Sequence, residues 1–303
     1  MKRVLITGAG GFIGRECVRQ LVTAGDEVHA ISTRPTAEAG AGLRWHCADL
    51  LDSGATARLV REIRPSHLLH LAWYTAPGAF WTSPLNLRWV DASLRLIQEF
   101  CAVGTRIVVA GTCAEYEWKS GVYSEASTPL LPATLYGGCK HGFRVILERY
   151  AAQSGITSAW GRLFLLYGPH EHSNRLVPAV TRALLAGQPA PCTHGRQVRD
   201  FLYVEDAADA FVKLLDHQAQ GPFNIASGVP TRLADVVFGV ADRLGRRELI
   251  QLGALEPRPE PDVMVADIGR IGRTIGWTPR HTLEQGLDLT VNWWANRIRE
   301  GAG

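Results

Sequence analysis

A chain of 303 residues, 46% hydrophobic and 20% charged, is long and apolar enough for one large domain with a smaller one attached, and it excludes a disordered protein. Its formal charge of +3 contains no run of about five or six like charges, which argues against nucleic acid or a membrane surface as a partner. The opening MKRVLITG lacks the succession of a secretory signal. No later run reaches membrane-spanning length, and the six cysteines form neither a Cys-x-x-Cys pair nor a Cys/His cluster. A cytoplasmic protein with reduced thiols and no metal is therefore expected.

Short β-branched runs alternate with helix-period stretches from the start to about Ser158. RVLITG, EVHAI, LRWHCA, HLLHLA and RIVVAG read as strands, and Phe12 to Ala24, Ser53 to Ile63, Leu85 to Ala102 and Ala133 to Ser154 as helices. Strands alternating with helices imply an α/β fold with a doubly wound parallel sheet covered on both faces. After LFLLYGP the rhythm loosens: HGRQVRDFLYVEDAADAFVKLL reads as strand then helix, and IGRTIGWTPR as a short helix ending in a turn. The expected organisation is a dinucleotide-binding domain over 1–165 that also receives about 196–222, and a smaller mixed α/β substrate lobe over 166–303.

VLITGAGGFIGRE places Gly8, Gly11 and Gly14 where the first strand meets the first helix. Glycine there permits a tight turn, close approach of a pyrophosphate and close packing of helix on strand, while the helix N-terminus offers unpaired N–H groups. The Gly-x-x-Gly-x-x-Gly spacing resembles the short-chain dehydrogenase/reductase superfamily, and TGAGGFIG its extended, nucleotide-sugar branch. The resemblance implies a Rossmann-type fold in which Phe12, Ile13 and Arg15 beside the glycines, Leu50, and Leu71 with Ala72 at the end of the fourth strand face the cofactor.

Where that family commonly carries an acidic residue for the ribose hydroxyls of NAD, the second strand ends HAISTRPT, with Ser32 and Arg34. A carboxylate would repel a 2′-phosphate and Arg34 would attract one, so NADP(H) is favoured over NAD(H). Asp49, after the third strand, matches the position that holds the adenine amino group in this superfamily; alone it also reads as a cap for the next helix.

LYGGCK puts Tyr136 and Lys140 four apart, hence on one helix face, and RIVVAGT ends the fifth strand at Thr112, on the edge where open α/β sheets bind ligands. With seven tyrosines and four lysines such a pair arises easily by chance, and its context decides. Resemblance implies Tyr136 as general acid/base, Lys140 as the cation that lowers the phenol's pKa and holds the nicotinamide ribose, and Thr112 as the donor that orients a carbonyl.

The likeness runs on through RLFLLYGP, RDFLYVEDAADAF and EPRPEPDVMVADIGRIGRTIGWTP. It implies a nucleotide-diphosphate sugar as partner, held by Arg199 and Arg258, with Trp73, Cys113, His170 and Arg175 completing the substrate site. Leu165 departs from the asparagine that reaches substrate phosphates in many members. Cys113 and Ala114 replace the Asp-Glu pair of the 4,6-dehydratases, which argues against dehydration. His170 in YGPH matches a histidine that some epimerases of the family pair with a cysteine, and Trp73 or Trp81 is offered for stacking on the sugar ring. The pattern is nearest to NADPH-dependent reductases of nucleotide-linked 4-keto-6-deoxyhexoses. A sugar epimerase or epimerase-reductase is the alternative, and a non-catalytic NADP(H) sensor a third reading that the Thr112, Tyr136 and Lys140 set disfavours. A homodimer formed through the helices around 85–102 and 133–154 is expected by resemblance only.

Overall fold

The computed structural model describes residues 1–34 and 40–301. The chain runs through β1 (Arg3–Thr7), α1 (Phe12–Thr23), β2 (Glu27–Ser32), β3 (Leu43–Cys47), α2 (Ser53–Ile63), β4 (His67–His70), α3 (Leu85–Cys101), β5 (Arg106–Thr112), β6 (Gly121–Tyr123), α4 (Leu135–Gln153) and β7 (Thr157–Leu163). It continues through β8 (Leu165–Tyr167), α5 (Leu176–Leu185), β9 (Ala190–Pro191), β10 (Val198–Tyr203), α6 (Val204–Asp216), β11 (Gly221–Ile225) and β12 (Pro230–Arg232). The last elements are α7 (Leu233–Leu244), β13 (Ile250–Gln251), β14 (Val263–Ala266), α8 (Gly269–Ile275) and α9 (Leu283–Arg299).

A seven-stranded parallel sheet has the order β11-β7-β5-β4-β1-β2-β3. Alternation along each strand divides its side chains between two cores. Val4, Ile6, Val28, Leu69 and Val108 join the layer formed with α1 and α6. Leu5, Leu68, Ile107 and Val109 face the opposite layer, formed with α2, α3 and α4. Strand β5 is buried at every position, as the middle of a sheet covered on both faces must be.

A second sheet, β12-β10-β14-β6 with β8 beside β10, draws strands from both halves of the chain. Helices α5, α7 and α9 close a further core over it around Tyr167, Phe201 and Tyr203. Within the 196–222 segment, α6 thus packs in the large sheet's layer while β10 lies in the second sheet. Helix α4 starts at Leu135, two residues later than Ala133, because the Thr134 hydroxyl accepts from Gly137 N and takes the N-cap.

Candidate active site

Strand order reverses between β1 and β4, so the loops leaving their carboxyl ends diverge and open a crevice at the switch point. Gly8 holds φ +69, and a β-carbon there would stand 2.8 Å from Ala72 N. Gly11 N donates to Gly8 O at 2.9 Å. Gly11 then N-caps α1 with no side chain on the first helical amides, so the N–H groups about Phe12, Ile13 and Gly14 face the crevice available to an anion. These features fit a dinucleotide pyrophosphate. Arg15 is exposed on the first turn and donates from Nε to Gly10 O at 3.0 Å.

At Gly14 a β-carbon would lie 2.1 Å from Gly8 O and 2.8 Å from Ala9 Cα, both backbone atoms with no rotamer to give. Gly14→Ala is expected to weaken NAD(P)H binding by at least about 100-fold, through displacement of the turn, and to destabilise the fold by about 1–3 kcal/mol. Titration of the coenzyme against tryptophan fluorescence, with a thermal melt, checks both.

Under the turn lies a buried chain absent from the sequence reading. Thr7 Oγ1 meets His70 Nδ1 at 2.7 Å, and His70 Nε2 meets Ser93 Oγ at 2.9 Å. Burial, helped by Lys140, pushes His70 down to about 3, so the ring is neutral and ties β1, β4 and α3 together as a hydrogen-bonded strut. Leu71 N and Ala72 N are held by Thr7 O and Thr7 Oγ1 at 3.2 and 3.3 Å, which fixes the loop beside the glycines.

Ser32 ends β2 beside Gly10, and its hydroxyl accepts from Arg34 N at 3.1 Å; Arg34 is exposed at the rim. Residues 35–39 lie outside the described residues. Leu50 is buried, and Asp49 is exposed, accepting from Leu51 N at 2.9 Å. The cap of α2 is Asp52, which takes Gly54 N and Ala55 N, so Asp49 is not that helix's cap.

Thr112, Tyr136 and Lys140 come together, all buried. Gly137 permits it: a β-carbon there would stand 2.2 Å from Ala114 O, so only glycine lets α4 close on the turn after β5. The Thr112 hydroxyl caps that turn at Ala114 N and lies beside the Tyr136 phenol. Lys140 Nζ donates to Ala110 O at 2.9 Å and sits 3.9 Å from the centroid of the Trp73 ring.

The electrostatics differ from the sequence expectation in sign. Burial pushes the Tyr136 phenol up rather than down, and the cation that most opposes this is Arg175, not Lys140. The same burial pushes Lys140 down to about 7, with only Glu115 acting against it. A desolvated ammonium loses charge before it can acidify a neighbour.

Glu115, absent from the sequence reading, fixes the floor. It accepts from Thr112 N at 2.9 Å, Trp160 Nε1 at 2.7 Å and Arg162 Nε at 3.0 Å, and is fully buried with Arg162. Arg162 also donates to Tyr116 Oη at 3.0 Å, and Tyr116 to Asn224 Oδ1 at 2.8 Å. An acid two residues beyond Cys113 gives no sequence signal of this role, because its side-chain partners Trp160 and Arg162 come from β7, over 40 residues away.

The expected substrate residues separate. Trp73 is buried, with Nε1 on Asn86 Oδ1 at 2.9 Å and its ring between Lys140, Trp89 and Phe143, so it is a platform for the lysine and not a surface for a sugar. Trp81 instead borders Tyr136, edge-on at 5.8 Å. Cys113 Sγ points to Met264 Sδ at 3.9 Å, and burial pushes its thiol up to about 12, away from the thiolate a base requires.

Arg175 stands 5.5 Å from the Phe80 ring, and Phe80 meets Tyr136 edge-on at 4.8 Å, so this arginine reaches the crevice. Arg199 is buried, its guanidinium on Glu260 Oε2 at 3.1 Å and on the carbonyls of Val198 and Asp262. Arg258 is exposed on the loop before β14. His170 is exposed and packs on Trp293 of α9 at 4.5 Å.

A family model described as the NAD dependent epimerase/dehydratase family matches residues 4–226, from the first strand through the last strand of the large sheet. The chain belongs to this family. It is 26% identical to dTDP-glucose 4,6-dehydratase of Salmonella typhimurium over 99% of this chain and 96% of that protein. Among solved structures, MoeE5 in complex with UDP-glucuronic acid and NAD is similar with TM-score 0.85 and 27% identity, covering 97% of this chain and 99% of that one. The UDP-glucose 4-epimerase of Thermus thermophilus, complexed with NAD, has TM-score 0.85 and 26% identity over 96% of this chain and 98% of that one. No helix among the described residues is long and apolar enough to cross a membrane.

Proposed function

We propose that this family member reduces the keto group of a nucleotide-linked 4-keto-6-deoxy sugar with NADPH. The observation that carries the reading is the Tyr136 phenol: buried, kept protonated by its surroundings, and beside Thr112 at the edge of β5. Reduction needs a proton donor at rest, and a raised phenol is one. When bound, the nicotinamide supplies the hydride. Thr112 and Tyr136 donate hydrogen bonds to the carbonyl oxygen, and Tyr136 gives its proton to the alkoxide as the C–H bond forms. Lys140, on Ala110 O and the Trp73 ring, places a positive charge behind the phenol that assists this transfer.

Arg34, two residues past the end of β2 in the run Ser32-Thr33-Arg34, supports NADPH. Arg175 and Arg258 are suited to the sugar diphosphate, and Arg199 joins them where phosphate oxygens replace Glu260. The relatives' nucleotide-sugar ligands support this substrate class. Exposed Leu87, Val145 and Ile146 on α3 and α4 support pairing of two copies through these helices.

A second reading, an epimerase that retains NAD, is favoured by the NAD held in the similar structures. Purified protein incubated with NADPH or NADH and a panel of nucleotide-linked 4-keto sugars separates the two. Stoichiometric loss of absorbance at 340 nm, at least about tenfold faster with NADPH, is expected, and Arg34→Ala is expected to remove the preference. Sugar conversion without coenzyme loss supports the epimerase instead.

A further inference from the structure

The loop before β14 reads Glu256-Pro257-Arg258-Pro259-Glu260-Pro261 between two backbone anchors. Leu255 N donates to Cys192 O at 3.0 Å on one side, and Val198 N donates to Asp262 O at 2.8 Å on the other. The prolines fix φ at every second position and hold the residue before each in extended backbone. Glu260 N also closes on Arg258 O at 2.8 Å across Pro259. The segment is therefore a stiff strap. Between its anchors, the one side-chain bond from it to the rest of the described residues is the ion pair of Glu260 Oε2 with Arg199, at 3.1 Å.

Arg199 on β10 is in register with Met264 on β14, which puts the two side chains on one face of the second sheet. Met264 Sδ meets Cys113 Sγ at 3.9 Å, and Cys113 follows Thr112. Arg199 thus lies one strand away from the turn that carries the carbonyl-orienting hydroxyl. It is 2% exposed, and its other bonds go to the carbonyls of Val198 and Asp262, so Glu260 is its one charged partner among the described residues. A buried guanidinium requires a counter-anion, but not this particular one. The Glu260 side chain is 25% exposed, so its carboxylate reaches water by rotating outward while the strap keeps its backbone.

We propose that Glu260 is a built-in competitor on Arg199 that the substrate's diphosphate displaces, which makes it a specificity-determining residue for anionic ligands. This rests on the reading of the crevice as a nucleotide-diphosphate sugar site. While the carboxylate is seated the pair is neutral and draws no anion. A diphosphate brings more charge and more acceptor oxygens than a carboxylate, and the forked guanidinium matches them. Glu260, once released, regains its hydration. Arg258, exposed on the same strap and without an ion pair among the described residues, adds a second cation for the incoming group. An uncharged sugar cannot make the exchange.

The test is calorimetric titration of dTDP and UDP into the full-length protein in the presence of NADP+, for wild type, Glu260→Gln and Glu256→Gln, with a thermal melt of each. Glu260→Gln is expected to bind diphosphate at least about tenfold more tightly, because Arg199 is left without its counter-charge. Glu256→Gln removes the same charge four residues away on the strap, from an exposed carboxyl with no ion pair among the described residues, and is expected to change affinity less than about twofold. Equal or weaker binding by Glu260→Gln, or an equal gain by Glu256→Gln, overturns the proposal. Should Glu260→Gln fail to fold, Glu260→Asp, whose shorter side chain draws back from Arg199, is read the same way: a gain of at least about threefold supports the role and no gain overturns it. Binding of neither diphosphate by any of these proteins removes the nucleotide-sugar reading and the competitor with it; binding that Glu260→Gln leaves unchanged removes the competitor alone.

Discussion

Tyr136→Phe is expected to lower keto-sugar reduction by about 10³-fold, equivalent to about 4 kcal/mol of transition-state stabilisation, with coenzyme affinity unchanged within about threefold. The ring is packed edge-on against Phe80 at 4.8 Å and Trp81 at 5.8 Å, and phenylalanine keeps both contacts. What disappears is the phenol oxygen and its proton, so folding stability should change by no more than about 1 kcal/mol. Because the phenol is pushed up, its own deprotonation limits reduction only in the alkaline range, above the ordinary tyrosine value. Steady-state kinetics with coenzyme binding measured in parallel checks the split. Full activity in Tyr136→Phe would remove the proton donor from the mechanism and with it the functional reading.

Lys140→Met is expected to give a protein that is more stable yet poorly active. In the fold Lys140 is 3% exposed, and its pKa falls from 10.5 to about 7, chiefly through desolvation; only Glu115 opposes this. The shift corresponds to about 4 to 5 kcal/mol by which charging the buried amine destabilises the native state. The sign follows from proton counts. Between pH 7 and 10.5 the unfolded chain binds the proton that the folded chain lacks, so this group's contribution to stability rises with pH across that window. Below pH 7 both states are charged and the full penalty applies.

Methionine removes the penalty, and its loss of the bond to Ala110 O and of the contact with Trp73 returns about 1–2 kcal/mol. Urea unfolding should therefore show Lys140→Met more stable than wild type by about 2–4 kcal/mol at about pH 6, with the difference vanishing or reversing near pH 10. Its kcat/KM should be at least about 100-fold lower. The wild-type kcat/KM should fall as pH rises through about 7, where Lys140 loses its charge, a limb absent from the variant. A pH-independent loss of stability in Lys140→Met would contradict the desolvation argument.

The two expectations show why a site that looks like an ion-tuned phenol in sequence behaves as a buried one in the fold. Spacing puts Tyr136 and Lys140 on one helix face, and that much is fixed by about 3.6 residues per turn. Spacing does not say what surrounds them. Phe80, Trp73 and Trp160 pack with Phe143 against the buried face of α4, and low polarity raises the phenol and lowers the amine together.

Local chemistry was legible from the chain alone. The glycine turn, the strand-helix alternation that defines the α/β fold, the helix 53–63 to the residue, and Thr112 at the edge of β5 each depend on neighbours within a few positions. Pairings across long sequence distances were not legible, since they come from topology: Glu115 with Arg162 through β5 and β7, Thr7 with His70 and Ser93 through β1, β4 and α3, and Arg199 with Glu260 through β10 and the loop before β14. Side-chain direction in loops was equally hidden. YGPHEH does not say which way its side chains turn, and the left-handed backbone at His170, with Trp293 to receive its ring, leaves the histidine at the surface. A sequence prescribes local periodicity and turn chemistry, whereas burial and orientation are properties of the assembled core.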